Sequence, residues 1–356
     1  MGSKTKIEWT RSDDGTPGAT WNPATGCTKV SPGCDRCYAE TLAERFRGTP
    51  GHYYENGFDV TLRPGKLLEP LKWSKPRRIF VNSMSDLFHD QIPDHYIAKV
   101  FAVMELAPWH SFQLLTKRHG RMHSLLNSLV FQSQISSAVN ELLDDGAPFP
   151  KTWDPEGHKP DWPLPNVWLG VTVENQQWAD IRIPLLIDTP ATIRWLSIEP
   201  MLGPVDLFGV PFAETPGPAI IRNSVHWFDP NYGDQHEWDD QPGIDWVVCG
   251  GESGRGARPM HPKWATDLML SCSATGVPFL FKQWGEWRPY LDQSNGHRQP
   301  DAYMNVVGEL ADEDTALAAG GDWIGMHRLG KSNTGRELDG RLYDEYPVLA
   351  GAHADL

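Results

Sequence analysis

Along this chain, short runs of β-branched and aromatic residues alternate with longer stretches whose apolar positions recur every three or four residues. The runs are Ile79–Asp86, Phe112–Arg118, Val167–Glu174, Ile193–Glu199, Trp246–Glu252 and Val277–Lys282, preceded by Trp21-Asn22-Pro23 at the head of a cysteine-rich loop. Near-continuous apolar strands, each ending in a polar or glycine-bearing turn, are what a parallel sheet covered on both faces requires. Between them the periodicity predicts helices over Tyr38–Phe46, His95–Leu106, Met122–Val130, Ile135–Leu143, Trp178–Leu186 and Pro262–Cys272. In the second of these, Ile97, Val100, Phe101 and Met104 share one face behind Pro93. Such alternation predicts an α/β fold, a complete or partial (β/α) barrel of TIM type. In that architecture reactive groups gather at the carboxyl ends of the strands, and the polar residues of these runs fall there.

Two stretches interrupt the alternation. Residues 144–166 are rich in Pro, Asp and Trp, and residues 203–243 carry Pro, Gly, His and Asp with few apolar runs. Insertions of that length are commonly lids or substrate loops. The expected organisation is therefore a barrel domain over residues 1–285 and a C-terminal extension over 286–356, where only Trp323–Arg328 reads as a strand.

Composition narrows the class. The chain has 356 residues, 40% of them hydrophobic and 22% charged, ordinary proportions for a globular protein. No apolar run is long enough to span a bilayer, and the start lacks a signal-peptide hydrophobic region, so no membrane partner is expected. The five cysteines do not form a disulfide framework for a chain this long, which points to a reducing cytoplasm. A net charge of −14 argues against a protein that coats nucleic acid with its whole surface. Local basic spots remain at Arg77, Arg78, Lys117, Arg118, His119 and Arg121, readable as a groove or as solvated surface charge. The 16 tryptophans could wall a pocket for a planar substrate or simply pack a large core.

Three of the cysteines fall within eleven residues: Cys27, Cys34 and Cys37, with six and two residues between them. Thiolates crowded on one short loop repel unless a cation sits among them, and a two-residue gap lets two sulfurs face one centre. Pro32 and Gly33 allow the loop to curl. Three readings stand: a [4Fe-4S] cluster with one iron not held by protein, a zinc site completed by a histidine such as His52 or His89, or surface thiols without a role.

A cysteine triplet after the first strand of such a barrel resembles the radical S-adenosylmethionine (SAM) superfamily. More narrowly, Thr20-Trp21-Asn22-Pro23, Gly26-Cys27, Ser31-Pro32-Gly33-Cys34, Cys37-Tyr38-Ala39-Glu40 and Gly250-Gly251-Glu252-Ser253-Gly254 resemble a three-cysteine family encoded by phages and bacteria, mostly of unknown function and distantly similar to spore photoproduct lyase. The likeness covers roughly residues 5–285. The first gap departs from the commonest superfamily spacing of three residues, and Arg36 stands where an aromatic residue usually precedes the third cysteine.

The resemblance implies that Cys27, Cys34 and Cys37 bind three irons of a [4Fe-4S] cluster while SAM chelates the fourth. Reduction by an electron donor such as flavodoxin or ferredoxin would then yield a 5′-deoxyadenosyl radical that abstracts hydrogen from substrate. The superfamily places its amino-group contact at the end of the second strand, here Asn82, Ser83, Ser85 and Asp86. Thr172, Glu174 and Asn175 suit ribose hydroxyls, and Ser197, Glu199, Gly250, Gly251 and Glu252 complete the cofactor-binding candidates. Cys249, at a strand end, either returns a hydrogen atom to a product radical or is a core thiol. Lys117, Arg118, Arg255, Arg258 and Lys282 are candidates to hold a substrate phosphate or carboxylate. The expected substrate is a nucleotide, a modified base in DNA or a small charged metabolite. A non-catalytic zinc- or cluster-binding module that recruits a protein or nucleic acid is the alternative. A Lewis-acid hydrolase is disfavoured, since no H-E-x-x-H motif occurs.

Overall fold

Each of the seven apolar runs contributes a strand to one parallel sheet. In the computed structural model, which describes residues 4–5, 7–12, 15–148, 161–211, 243–290 and 299–348, these strands are β1 (Ala19–Trp21), β2 (Arg78–Val81), β3 (Ser111–Thr116), β4 (Val167–Thr172), β5 (Ile193–Ile198), β6 (Trp246–Gly250) and β7 (Phe279–Gln283). Their order in the sheet is the order of the chain, β1 through β7. Pairing is parallel, with Trp21 opposite Val81, Val81 opposite Leu114 and Ser197 opposite Val248. Strands β2, β4 and β6 are buried at every position, which is why their sequences show no polar alternation. The class is α/β, and a strictly sequential parallel order is the one a (β/α) barrel uses.

The helices lie between the strands: α1 (Tyr38–Glu44), α2 (Asp94–Glu105), α3 (His119–Leu126), α4 (Leu129–Asp144), α5 (Gln176–Ile187) and α6 (Pro262–Thr275). Local chemistry fixes their ends. The Ser128 hydroxyl accepts from the Phe131 N–H and so starts α4, which divides the 122–143 stretch at 127–128, earlier than the break after Val130 that its periodicity predicts. His261 caps α6 by accepting from the Lys263 N–H, Pro262 occupies the first turn, and Gly276 at φ 66° ends the helix.

The chain divides into two compact units, one of residues 1–171 with 185–194, the other of residues 172–184 with 195–356. In the first, Ile79, Val81, Ile97, Val100, Phe101, Met104, Phe112 and Leu114 form the core, with α2 packed on α4. In the second, Trp195, Trp246, Trp264, Phe279 and Phe281 are fully or almost fully buried, and the rings of Trp195 and Trp246 lie 5.5 Å apart. With Trp21 and Trp168 also fully buried, these tryptophans serve packing. Beyond residue 285 the second unit carries an antiparallel sheet of β8 (Trp287–Pro289), β9 (Ala302–Asn305), β10 (Leu310–Ala311) and β11 (Trp323–Arg328), in the order β8-β11-β9-β10. Most of the two predicted insertions, residues 149–160 and 212–242, lies outside the described residues. No helix among those described is long and apolar enough to cross a membrane.

Candidate functional site

The cysteine loop of the first unit is built by backbone pairing that the apolar pattern does not reveal. After β1 the chain turns at Asn22, whose side-chain oxygen accepts from the Met84 N–H at 2.9 Å and whose amide donates to the Ser83 hydroxyl at 3.1 Å. Gly26 then donates to the Met84 carbonyl at 2.9 Å and bridges Ser85 in parallel register. Its φ is 88°, and a Cβ there would lie 2.2 Å from the Asp59 carbonyl oxygen, so only glycine fits this close crossing. The next residue, Cys27, donates its N–H to the Phe58 carbonyl at 3.2 Å. Cys34 ends a single turn over Pro32–Cys34, and Cys37 is the residue before α1. Small side chains at Ala39 and Ala43 let α1 pack against Tyr54, Phe58 and Met84, a cluster that also touches Cys27 and Cys37.

All three loop thiols are free and half-buried. Burial pushes the Cys27 thiol up to about 11, the Asp86 carboxylate adds to this, and Arg118 opposes it. Burial likewise raises Cys37, against the pull of the Glu40 and Ala39 N–H groups. Cys34 lies close enough to disfavour charge on both. Without a cation, Cys27 and Cys37 are therefore held as neutral thiols; a bound soft metal removes that penalty.

The residues after β2 divide by what their side chains already do. Ser83 is joined to Asn22, and Ser85 donates to the Ala24 carbonyl at 2.9 Å. Asp86 is buried and accepts from the Thr116 hydroxyl at 2.7 Å, the Lys117 N–H at 3.0 Å and the Phe88 N–H at 3.1 Å. Asn82 differs. It sits at φ 62°, is 3% exposed, and its amide nitrogen and oxygen meet no partner among the described residues. This turn also stops β2 at Val81, short of the predicted strand end at Asp86. Arg118 reaches the loop itself: one guanidinium nitrogen donates to the Thr28 hydroxyl at 2.7 Å and carbonyl at 3.2 Å, and lies 3.9 Å from Cys27 Sγ. The Lys117 charge opposes in small part the burial that raises the Cys37 pKa.

The two histidine candidates have local duties. His89 Nδ1 accepts from the Gln91 N–H at 3.1 Å, so its proton is on Nε2, 2.9 Å from the Thr28 hydroxyl. Burial, with Arg118 nearby, lowers its pKa and keeps the ring neutral. His52 stacks on Phe46 at 3.9 Å and accepts from the Tyr54 N–H.

In the second unit the predicted residues are held in ion pairs. Glu174, fully buried, accepts from fully buried Arg182 at 2.8 Å; the same guanidinium donates to the Thr172 carbonyl and stacks 4.0 Å from the Trp178 ring. Asn175 accepts from the Trp178 N–H and starts α5. Ser197 is buried, and its carbonyl accepts from the Val173 N–H at 2.9 Å. Glu199 pairs with Lys282 at 3.1 Å, both mostly buried. A Cβ on Gly250 would lie 2.4 Å from the other Glu199 oxygen, and one on Gly251 would lie 2.0 Å from the Trp284 carbonyl oxygen. Both glycines thus permit close packing at this strand end. Glu252 takes three bonds from Arg258, at 2.6–2.9 Å. Arg255 is exposed. Cys249 is fully buried with its sulfur 3.8 Å from Met201 Sδ, and burial, aided by Glu199, raises its pKa well above the usual thiol range. Cys272 is a buried core thiol, as expected of its apolar helix.

Sequence reasoning missed Thr28, Asn22 and Arg182. Asn22-Pro23 is a visible turn signal. The roles of Thr28 and Arg182 depend on partners that only folding supplies.

With this geometry established, comparison with known proteins finds one match, a family model described as a protein of unknown function (DUF5131), over residues 4–347. The chain belongs to the DUF5131 family. No curated protein and no solved structure matches it.

The donor chemistry of this DUF5131 loop fits a soft metal centre: three free sulfurs, partly shielded from water, with Cys34 coupled to both others. Among the described residues no three His, Cys, Asp or Glu side chains are gathered at ligand distance, so joint ligation requires the curled loop to draw in. For a polar cofactor the fitting feature is Asn82, a buried donor–acceptor pair that meets no partner among the described residues.

Proposed function

We propose that this DUF5131 protein is a radical SAM-type iron–sulfur enzyme on a partial TIM-type barrel, acting on a nucleotide, a modified DNA base or a small charged metabolite. The observation that carries the reading is the trio of free, half-buried thiols on one loop, with Cys34 near both others, beyond the carboxyl end of the first parallel strand. Three sulfurs rather than four suit a centre that keeps one position open. Both ring nitrogens of His89 are engaged, which favours this reading over a zinc site closed by that histidine.

When bound, a [4Fe-4S] cluster with SAM supplies one-electron cleavage of a sulfonium bond, with the electron from a donor such as flavodoxin or ferredoxin. The protein's part is to hold and exclude. Cys27, Cys34 and Cys37 would hold the irons, and the Asn82 amide would bind a polar group of the cofactor. Ser83, Ser85 and Asp86 keep the Asn82 turn in shape through their own hydrogen bonds. In the second unit, Lys282 is the cation best suited to a substrate phosphate or carboxylate, because Glu199 keeps it oriented in a shielded place. Arg255 offers a second, exposed cation. Glu174 and Glu252 act by fixing strand ends, each through its arginine. Cys249 packs as a core thiol, so hydrogen return by it is the weaker of its two roles.

The test is anaerobic purification followed by dithionite and SAM. Brown protein with broad absorption near about 400 nm and release of 5′-deoxyadenosine supports the enzyme. Colourless protein with one zinc per chain refutes it and supports the binding module.

A further inference from the structure

Arg118 follows β3 and is only 10% exposed on its side chain, yet it leaves its own segment to bind the start of the cysteine loop. One of its nitrogens donates twice to Thr28 and faces Cys27 Sγ at 3.9 Å; the other lies 3.9 Å from the exposed Asp90 carboxylate. The Thr28 hydroxyl also accepts from His89 Nε2–H, so two donors from different segments converge on one side chain. Among the described residues, Cys27 is the loop cysteine whose sulfur meets a guanidinium from outside the loop; Cys34 rides on a one-turn helix and Cys37 on the start of α1. The groups facing Cys27 are Asp86 and Cys34, which disfavour negative charge on the sulfur, and Arg118, which favours it.

We propose that Arg118 is a positioning residue for the cysteine centre: through Thr28 it ties Cys27 to the end of β3, and its guanidinium supplies the positive charge that a metal-bound Cys27 sulfur faces. This deepens the function proposed above and rests on metal binding by the loop. A bond to a ligand sulfur both orients it and stabilises the more negative, reduced form of an iron–sulfur centre. Arg118 is thus assigned to the centre rather than to substrate.

The experiment compares wild type with Arg118→Met, Arg118→Lys and Thr28→Val. Hydrogen exchange at Cys27 and Thr28 is read first, on metal-free full-length protein. Faster exchange in Arg118→Met and Thr28→Val, with the rest of the first unit unchanged, is expected. Unchanged exchange at both amides overturns the tie. The same proteins are then reconstituted with ferrous iron and sulfide, and iron retention against a chelator and the midpoint potential are measured. Arg118→Met should hold iron about 10–100-fold more weakly and at a lower potential. Arg118→Lys should recover the potential, because it keeps the charge, without recovering the affinity. Equal retention and equal potential in wild type and Arg118→Met would overturn the proposal. Should wild type take up no iron while the exchange difference stands, the proposed enzyme fails and the tie survives.

Discussion

The cysteine loop of the first unit and the strand ends of the second solve opposite problems. In the second unit, carboxylates at three successive strand ends are matched by cations: Glu174 by Arg182, Glu199 by Lys282 and Glu252 by Arg258. In the first, burial raises the pKa of the Cys27 and Cys37 thiols and disfavours their charged forms, and the buried Asn82 amide meets no partner among the described residues. A matched ion pair maintains shape; a shielded donor without a match has capacity for a ligand. On the function proposed above, this difference favours the loop as the ligand-binding region and gives the second unit's paired carboxylates a supporting role. Glu199–Lys282 is the intermediate case, since part-exposed ions can exchange partners with a charged substrate.

The comparison breaks most visibly at the buried pair. Arg182→Met removes the cation buried against Glu174, and should cost about 3–5 kcal/mol in denaturant unfolding. The double variant Glu174→Leu with Arg182→Met should return to within about 1 kcal/mol of wild type or exceed it. A double variant as unstable as the single one would show that Glu174 does more than hold shape.

Next in size is Gly26→Ala. It adds a Cβ against the Asp59 carbonyl at positive φ and should cost about 2–4 kcal/mol, with loss of metal uptake at temperatures where the chain remains folded. The corresponding clash from Gly251→Ala should destabilise without preventing metal uptake. Equal loss of metal in both variants would erase the distinction between the two regions.

A smaller, pH-dependent effect separates packing from chemistry within the first unit. Glu105, at the end of α2, has its carboxyl pushed up to about 7 by burial alone. Its folded pKa lies above the unfolded value, so the folded state binds more protons between about pH 4.5 and pH 7. Stability therefore falls as pH rises through this window. Glu105→Gln should raise Tm by a few degrees at pH 8 and leave it unchanged at pH 4. A gain that is the same at both pH values would contradict the burial of a carboxylate there. His110 works in the opposite sense. Burial lowers its pKa to about 4, so its contribution is lost as pH falls from about 6.5 towards 4, and His110→Gln should flatten that limb of the Tm profile.

The smallest stability change should come from Cys34→Ala. The side chain is half-exposed on a loop, so Tm of the metal-free chain should move by no more than about 0.5 kcal/mol equivalent.

The parallel sheet was legible because both of its faces are covered, and each strand then writes an unbroken apolar run such as Val167–Thr172. The short C-terminal strand Trp323–Arg328 was legible for its aromatic and β-branched content. The cysteine triplet announced itself by spacing. What sequence could not supply was partnership across distance: Lys282 meets Glu199 from 83 residues away, and Arg118 meets Thr28 from 90. Periodicity also overran strand ends. At Asn82 a left-handed turn ends β2 although apolar residues continue through Met84 and Leu87, because those side chains pack from a turn as well as from a strand.

The most direct test of the account is iron and sulfide per chain after anaerobic reconstitution, measured in parallel on wild type and on Cys27→Ala, Cys34→Ala and Cys37→Ala. The account predicts about four irons and four sulfides in wild type, with a loss of cluster absorption in each variant and none in Cys249→Ala. Wild type that takes up no iron, or the same iron in wild type and Cys34→Ala, would contradict it.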